Sequence, residues 1–260
     1  MAGFLSDTDP RGVATITLDR SIIHNAFDDA LIVSLTAELQ RLAEDAATRI
    51  VVLAARGRSF SAGADLGWMQ RSAAYSEAEN LRDAQALAAL MRTLDTLPKP
   101  TIASVQGNAF AGGLGLIACC DIAIAVDTAE FAVTEVRLGL IPAVISPYLI
   151  AAIGTRAARR YFLTGERFDA ATALRLGLVH EIVQPDQLPV AVERAILALL
   201  EGGPVSQAAA KDLIRRVAGA KLTKTLIGET AKRIAKIRVS PEGREGIGAF
   251  LEKRKPAWRQ

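Results

Sequence analysis

Residues 50–66, with the sequence IVVLAARGRSFSAGADL, combine the pattern of a buried strand with that of a turn leading into a helix. The first six residues are an unbroken apolar run of strand length, which Arg56-Gly57-Arg58 ends. The same apolar pattern returns at residues 101–105 and 122–126. Repeated buried strands followed by loops and helices are typical of α/β proteins with mostly parallel pairing. We therefore expect the functional residues in the loops that follow the strands.

The segments on either side continue this alternation of strands and helices. Residues 13–18 alternate with period two, which predicts a strand, and residues 29–47 carry leucines at helical spacing. Residues 77–97 have the pattern of a helix that Pro98 ends. After residue 147 the pattern predicts helices near 155–164, 169–176, 186–201, 205–218 and 223–238, with one strand candidate at 179–183.

The composition of the 260-residue chain is that of a globular protein. Half of the residues are hydrophobic and 23% are charged, which excludes a disordered or low-complexity chain. The two cysteines, Cys119 and Cys120, are adjacent, and the two histidines, His24 and His180, lie in no metal-ligand motif. We expect neither a disulfide framework nor a metal site. The first ten residues lack the pattern of a signal peptide, which predicts a cytoplasmic protein with no membrane segment.

The charge is distributed unevenly along the chain. Residues 204–260 contain fourteen Lys and Arg against five Asp and Glu, whereas residues 1–203 are net acidic. Gly202-Gly203-Pro204 lies at this change and is the best candidate boundary between a core domain (1–203) and a helical domain (204–260). A segment with nine excess positive charges suggests an anionic partner, either a phosphorylated cofactor or a nucleic acid. A solvated helical face is an equally simple interpretation.

A first glycine-containing turn, Ser59 to Leu66, follows the strand at 50–55. Its small residues allow a ligand to approach the backbone, and unpaired amides at a helix start can face an anion or a developing oxyanion. The alternative is a tight strand-to-helix turn capped by Asp65.

A second glycine-rich turn, Gln106 to Gly115, follows the strand at 101–105. It contains glycines at P-loop spacing, but Gly113 stands where that motif requires lysine. A match to the dinucleotide-binding pattern at residues 113–118 lacks the short strand-to-helix turn of such sites. Two glycine-rich turns after two buried strands can aim two backbone donors at one oxygen, as an oxyanion hole requires.

A third segment, residues 133–142, places Glu135 among apolar neighbours. A buried carboxylate has a raised pKa that suits proton transfer. The alternative is an ion pair with Arg137 on a solvated surface.

Together these segments resemble the crotonase (enoyl-CoA hydratase/isomerase) superfamily over almost the whole chain. The resemblance starts at His24-Asn25-Ala26-Phe27 and runs through all three loops to residues 250–255. Residues 59–86 and 140–148 are most similar to bacterial methylglutaconyl-CoA hydratases of leucine and isoprenoid breakdown. The resemblance implies an α/β fold built as a spiral of ββα units, with a C-terminal helical region that forms trimers or dimers of trimers.

The same resemblance implies where an acyl-CoA thioester binds. It assigns the two amides that hold the thioester oxygen to Ala62 and Gly112, and the proton-transfer carboxylate to Glu135. Coenzyme A is part of the substrate, so no separate cofactor is implied. The implied contacts with the acyl-CoA are Ala26, Ala64, Asp65, Leu66 and Gly113, together with Phe250 and Lys253 of a neighbouring subunit.

The chain departs from the two-acid hydratases at one position, because Gly115 stands where they carry a first glutamate. We expect hydration of 3-methylglutaconyl-CoA or a related branched, carboxylated 2-enoyl-CoA. The candidates for binding a distal substrate carboxylate are Arg71, Arg137, Ser146 and Tyr148. A Δ3,Δ2-enoyl-CoA isomerase, which needs a single base, is the alternative. An RNA-binding protein or a non-catalytic scaffold is a minor one, because residues 204–260 contain only two aromatic residues.

Overall fold

A computed structural model describes residues 3–259 of the chain. In that range the strands are β1 (Phe4–Thr8), β2 (Val13–Leu18), β3 (Ile50–Ala55), β4 (Ser59–Ser61), β5 (Thr101–Val105), β6 (Asn108–Phe110), β7 (Ile122–Val126), β8 (Glu130–Ala132), β9 (Phe168–Asp169) and β10 (Glu181–Val183). The helices are α1 (Asp29–Glu44), α2 (Leu66–Ser72), α3 (Glu77–Asp95), α4 (Gly112–Cys119), α5 (Ser146–Thr164), α6 (Ala170–Leu176), α7 (Leu188–Leu200), α8 (Pro204–Val217), α9 (Lys224–Arg238) and α10 (Pro241–Leu251).

The strands form two sheets. The larger has the order β1-β2-β3-β5-β7-β10, in which β1 is antiparallel to β2 and the other neighbours are parallel. The smaller has the order β4-β6-β8-β9, with β4, β6 and β8 parallel. Each successive pair, β3 with β4, β5 with β6 and β7 with β8, gives one strand to each sheet. This arrangement confirms the predicted α/β fold of ββα units.

The core lies between the larger sheet and the helices packed on it. In α1 the side chains of Leu31, Leu35, Leu39 and Leu42 recur every three or four residues and are buried. Their spacing places them on one face of the helix, which packs against α3. The apolar run of β3 is buried along Ile50–Leu53, as expected for a strand covered on both faces.

The sequence pattern predicts most of the long strands and helices but not the three-residue strands of the smaller sheet. The strands at 13–18, 50–55, 101–105 and 122–126 are confirmed, whereas the helices predicted at 29–47 and 77–97 end two or three residues earlier. β4, β6 and β8 were not predicted, because three residues are too few to establish a period. Helix α10 was not predicted either.

Helix α5 begins at Ser146, nine residues before the predicted start, and Gly154 interrupts it with a φ of 73°. The sequence pattern detected only the half that follows this break.

The C-terminal helices begin where the charge changes, since α7 ends at Leu200 and α8 begins at Pro204. Contacts nevertheless tie this region to the core. The Arg49 guanidinium donates to the Gly202 carbonyl at 2.9 Å and to the Trp258 carbonyl at 3.1 Å. Lys211 of α8 forms a 2.7 Å ion pair with Asp121. The division into two domains stays a prediction. Among the described helices, none is long and apolar enough to cross a membrane.

Candidate active site

Three neighbouring short strands bring the three sequence segments to one edge of the smaller sheet. Ser61 of β4 pairs with Ala109 of β6, and Phe110 of β6 pairs with Ala132 of β8. Since the three strands are parallel, the segments that follow them leave from the same edge. The predicted functional loops therefore follow the second strand of each ββα unit, rather than the long strands identified from the sequence.

The side chain of Asn25 anchors the start of the first glycine-containing turn, Ser59 to Leu66. Asn25 is fully buried, and its side-chain amide donates to the carbonyl oxygens of Arg56 and Ser59 at 2.8 Å each. Its side-chain oxygen accepts the Arg20 amide at 2.8 Å. Its φ of 54° lies in the left-handed region, which asparagine tolerates better than most residues. These bonds fix the segment around His24 beside β4.

The Ala62 amide is already paired within the protein. It donates to the His24 carbonyl oxygen at 2.9 Å. An amide engaged in a hydrogen bond inside the fold is not available to stabilise a thioester oxygen. The prediction that Ala62 is the first oxyanion donor is therefore wrong for this structure.

Unlike the Ala62 amide, the Ala64 amide makes no hydrogen bond to the described residues. Phe27 forms an isolated parallel bridge to Ala64, in which the Phe27 amide donates to the Gly63 carbonyl and the Asp65 amide donates to the Phe27 carbonyl, each at 2.7 Å. Since successive amides of an extended chain point to opposite sides, the Ala64 N–H points away from this bridge. Among residues 3–259 it has no hydrogen-bond partner, and Ala64 is only half-buried.

The Gly112 amide stands at the first position of α4, and the described residues offer it no hydrogen-bond partner either. The preceding Ala111 has the unusual dihedrals φ 48° and ψ −118°. A hydrogen bond from its backbone N–H to the Ala132 carbonyl oxygen, 2.9 Å long, helps to hold this conformation. Gly63 packs directly against this turn. A Cβ on Gly63 would lie 2.9 Å from Ala111 Cβ and 3.6 Å from the Gly112 nitrogen. The two turns therefore touch, with their free amides close together.

Glu135 begins a short 3-10 turn three residues after β8. One of its carboxylate oxygens, Oε2, is buried and has no hydrogen-bond partner in the described part of the chain. Burial raises the pKa of this carboxyl, and a bond to its own backbone amide only partly opposes the rise. Arg137 forms no ion pair with it, which overturns the surface-pair alternative. An unpaired, partly desolvated carboxylate is suited to accept and return a proton.

Position 115 has no room for a side chain. A Cβ on Gly115 would lie 2.4 Å from Ile145 Cγ2 and 3.0 Å from Met91 Cε. Ile145 and Met91 are almost completely buried. The space that a first glutamate would occupy is thus filled by apolar atoms, which leaves no room there for a second carboxylate.

Four of the other predicted acyl-CoA contacts lie in or beside the two turns that carry the free amides. Asp65 accepts the Trp68 amide at 3.0 Å and caps α2, and the Leu66 side chain beside it is 76% exposed. Ala26 is buried next to Phe27, and Gly113 is buried against Ser61. These positions surround the two free amides.

Phe250 and Lys253 lie at the end of α10, which packs on α8 and α9 rather than on the three loops. Phe250 is 82% exposed, and Lys253 is also exposed. Their approach to the acyl-CoA from a neighbouring subunit stays a prediction.

Two of the four candidates for a substrate carboxylate are already engaged. Arg71 pairs with Asp29 at 2.9 Å, and the Ser146 hydroxyl donates to the Ala143 carbonyl at 2.8 Å. In the structure between residues 3 and 259, Arg137 has no ion pair and the Tyr148 hydroxyl has no hydrogen bond. Burial, together with the nearby Cys119 and Asp95, raises the pKa of Tyr148. It therefore remains a neutral donor at physiological pH.

The chain matches a known protein family over nearly its whole length. The model of the enoyl-CoA hydratase/isomerase family matches residues 8–260. The chain belongs to this family. Its structure is similar to that of an enoyl-CoA hydratase from Shewanella pealeana, with a TM-score of 0.96, 48% identity, and coverage of 98% of this chain and 96% of that one.

Two curated relatives within the enoyl-CoA hydratase/isomerase family carry different activities in their names. The 2,3-dehydroadipyl-CoA hydratase of Escherichia coli is 33% identical, over 94% of each chain. The trans-2-decenoyl-[acyl-carrier-protein] isomerase of Streptococcus mutans is 30% identical, also over 94% of each chain. These two relatives, one hydratase and one isomerase, are thus identical to this chain to a similar degree.

Proposed function

We propose that this enzyme adds water across the 2,3 double bond of a branched, carboxylated 2-enoyl-CoA, with 3-methylglutaconyl-CoA as the substrate. One observation carries the proposal: the amides of Ala64 and Gly112, unpaired among the described residues, lie in two touching turns, at the sheet edge that also presents the half-buried carboxylate of Glu135. Two donors and one proton carrier are what hydration of an α,β-unsaturated thioester requires.

The two amides act on the thioester carbonyl. They draw electron density towards its oxygen, which makes C3 electrophilic and stabilises the enolate that forms when C3 is attacked. Removing one donor of this kind typically lowers turnover by about 10²–10³-fold. The donors belong to the backbone, so they are held in place before the substrate arrives.

Glu135 carries the proton. Its carboxylate accepts a proton from water as the water oxygen bonds to C3 and the double-bond electrons move to the enolate. The protonated carboxyl then delivers that proton to C2, the carbonyl re-forms, and Glu135 is again ionised. A positioned group of this type contributes about 10²–10⁴-fold. The raised pKa of Glu135 makes its carboxylate a stronger base for the first half of this cycle.

The choice of acyl group rests on the sequence resemblance of residues 59–86 and 140–148 to methylglutaconyl-CoA hydratases. The named substrate of the Escherichia coli relative, 2,3-dehydroadipyl-CoA, also carries a second carboxylate. The candidates for binding such a carboxylate here are the neutral hydroxyl of Tyr148 and the guanidinium of Arg137, which lies beside Gly165 and Glu166 at the end of α5.

A second candidate is a Δ3,Δ2-enoyl-CoA isomerase, which the filled space beside Gly115 favours. In that reaction Glu135 would remove a proton from C2 of a 3-enoyl-CoA and return it to C4. The same two amides would hold the intermediate enolate, so the site needs no second acid.

Product analysis separates the two reactions. Purified protein is incubated with 3-methylglutaconyl-CoA in one reaction and with a 3-enoyl-CoA in another, and the thioesters are identified by chromatography and mass spectrometry. The hydratase proposal requires a gain of one water on the first substrate. Conversion of the 3-enoyl-CoA to its 2-enoyl isomer, with no hydrated product from the first, would reject it in favour of the isomerase.

We also propose that the active unit is a trimer or a dimer of trimers. Large apolar side chains are exposed along the C-terminal helices α9 and α10: Ile227, Ile234, Ile247, Phe250 and Leu251. An apolar surface of this kind favours burial against another copy. A neighbouring subunit would then place Phe250 and Lys253 beside the coenzyme A phosphates.

A further inference from the structure

Helix α4 presents two glycines on one face. Gly112 provides the free amide at the start of the helix, and Gly115 follows three residues later. Residues three apart lie on the same side of a helix. An acyl chain whose thioester oxygen binds the Gly112 amide therefore has Gly115 among its nearest helix neighbours.

Ile145 occupies the space in front of Gly115. A Cβ on Gly115 would stand 2.4 Å from Ile145 Cγ2 and 3.1 Å from Ile145 Cβ. Ile145 is 2% exposed and lies in the segment that joins the Glu135 turn to helix α5. One isoleucine thus separates the face of α4 from the segment that carries the proton-transfer group.

We propose that Ile145, through its Cγ2 methyl group, sets the size of the acyl substituent that the site accepts beside C2 to C4. This inference rests on the proposed function, since it concerns the acyl pocket of the same site. Met91, whose Cε would lie 3.0 Å from a Gly115 Cβ, packs against Gly115 from within the core. Both side chains are apolar and at most 2% exposed, so the size of a group accepted beside them depends on packing volume.

The first test measures the steric relation without any substrate. We expect Gly115→Ala to lower Tm, because its Cβ meets Cγ2. Adding Ile145→Ala removes that methyl group and should restore part of the lost Tm. Adding Ile145→Val is the matched control, because valine keeps both γ carbons and loses only Cδ1. Equal recovery with alanine and valine, or no loss in Gly115→Ala, would overturn the role assigned to Cγ2.

The second test measures selectivity. The ratio of kcat/KM for a 2-enoyl-CoA branched or extended beyond C4 to that for crotonyl-CoA is compared in wild type, Ile145→Ala and Ile145→Val. We expect the ratio to rise at least about tenfold in Ile145→Ala, since each methylene of a pocket is worth about 10–200-fold. It should change little in Ile145→Val, because valine keeps the Cγ2 methyl group to which the size limit is assigned and loses only Cδ1. Ile196→Ala, a buried isoleucine on α7, controls for a general loss of packing.

The outcomes of the two tests separate this inference from the function beneath it. A folded Ile145→Ala variant that turns over crotonyl-CoA with an unchanged selectivity ratio overturns the inference and leaves the proposed function standing. If wild type turns over no enoyl-CoA, the proposed function fails and the selectivity role fails with it. The Tm comparison would still report the Gly115–Ile145 contact.

Discussion

The carbonyl oxygen of His24 accepts the amide proton of Ala62 over 2.9 Å. This bond removes the amide that the family resemblance selected and leaves that of Ala64, two residues later, free to face the substrate. The bond also depends on the buried Asn25, which holds the His24 segment against β4. The position of the first oxyanion donor is therefore set by a turn in a different part of the chain.

Replacing single amides with esters tests this assignment. Lactic acid in place of Ala64 exchanges the N–H for an oxygen atom without changing the side chain. We expect kcat to fall by about 10²–10³-fold, because one of two oxyanion donors is lost. The same replacement at Ala62 should lower Tm and leave kcat within about threefold, since that bond stabilises the loop. A large kcat loss at position 62 with none at position 64 would reverse the assignment.

Glu135→Gln should lower turnover of the enoyl-CoA by at least about a hundredfold, because the amide can neither accept nor return a proton. Binding of a coenzyme A thioester, measured by calorimetry, should change little. Glu130→Gln, five residues earlier and paired with Arg167, is the control for a nearby loss of charge. Retained turnover in Glu135→Gln would remove this residue from the mechanism.

The same substitution should stabilise the fold at neutral pH. The folded-state pKa of Glu135 lies above its ordinary value of 4.5, so the folded chain holds this proton more tightly than the unfolded chain. The free energy of unfolding therefore falls as pH rises through the raised pKa. We expect Glu135→Gln to raise Tm by about 2–4 °C at pH 7–8, for a gain of about 1 kcal/mol.

The Tm difference between Glu135→Gln and wild type should vanish below about pH 4, where the Glu135 carboxyl is protonated in both the folded and the unfolded state. Thermal melts at pH 4 and pH 8 check it. A wild type that is more stable than Glu135→Gln at pH 8 would show that the carboxylate has a partner.

Asn25→Ala should destabilise the protein by about 2–4 kcal/mol, because it removes three hydrogen bonds of a buried side chain: those to the Arg56 and Ser59 carbonyls and that from the Arg20 amide. Urea unfolding measures the change. Asn80→Ala, at an exposed position, should change the free energy of unfolding by less than about 0.5 kcal/mol. Similar effects of the two substitutions would contradict the anchoring role of Asn25.

Phe250→Asp should shift the protein from trimers towards monomers. It places a charge on an exposed aromatic position that we assign to a subunit interface. Light scattering coupled to size exclusion gives the mass, and circular dichroism gives the fold. Gln40→Asp, at an exposed position of α1, is the control for one added negative charge away from α9 and α10. An unchanged mass for Phe250→Asp, or a wild-type monomer, would contradict the proposed assembly.

The sequence was sufficient for the long elements because they repeat a period over many residues. The apolar runs of β3, β5 and β7 and the leucine spacing of α1 needed no tertiary information. The three-residue strands β4, β6 and β8 carry no such signal, yet their parallel pairing assembles the site. Their contribution is visible only once the chain is folded.

The residues of the candidate site likewise divide into those that local sequence identifies and those that depend on distant contacts. Glu135 could be singled out as a carboxylate among apolar residues, which is a local feature, and the family resemblance assigned Gly112 within a glycine-rich turn. The choice between Ala62 and Ala64 could not be made in this way, because it depends on bonds to His24 and Phe27, more than thirty residues earlier in the chain. The filling of position 115 likewise depends on Ile145, thirty residues later.

A crystal structure of the enzyme with a non-reactive acyl-CoA thioester tests the central claim most directly. We expect the thioester oxygen to lie within about 3 Å of both the Ala64 and the Gly112 nitrogens. We also expect the Glu135 carboxylate to face C2 and C3 of the acyl group. A thioester bound away from these two amides, or one with Glu135 turned from its acyl carbons, would contradict the central claim.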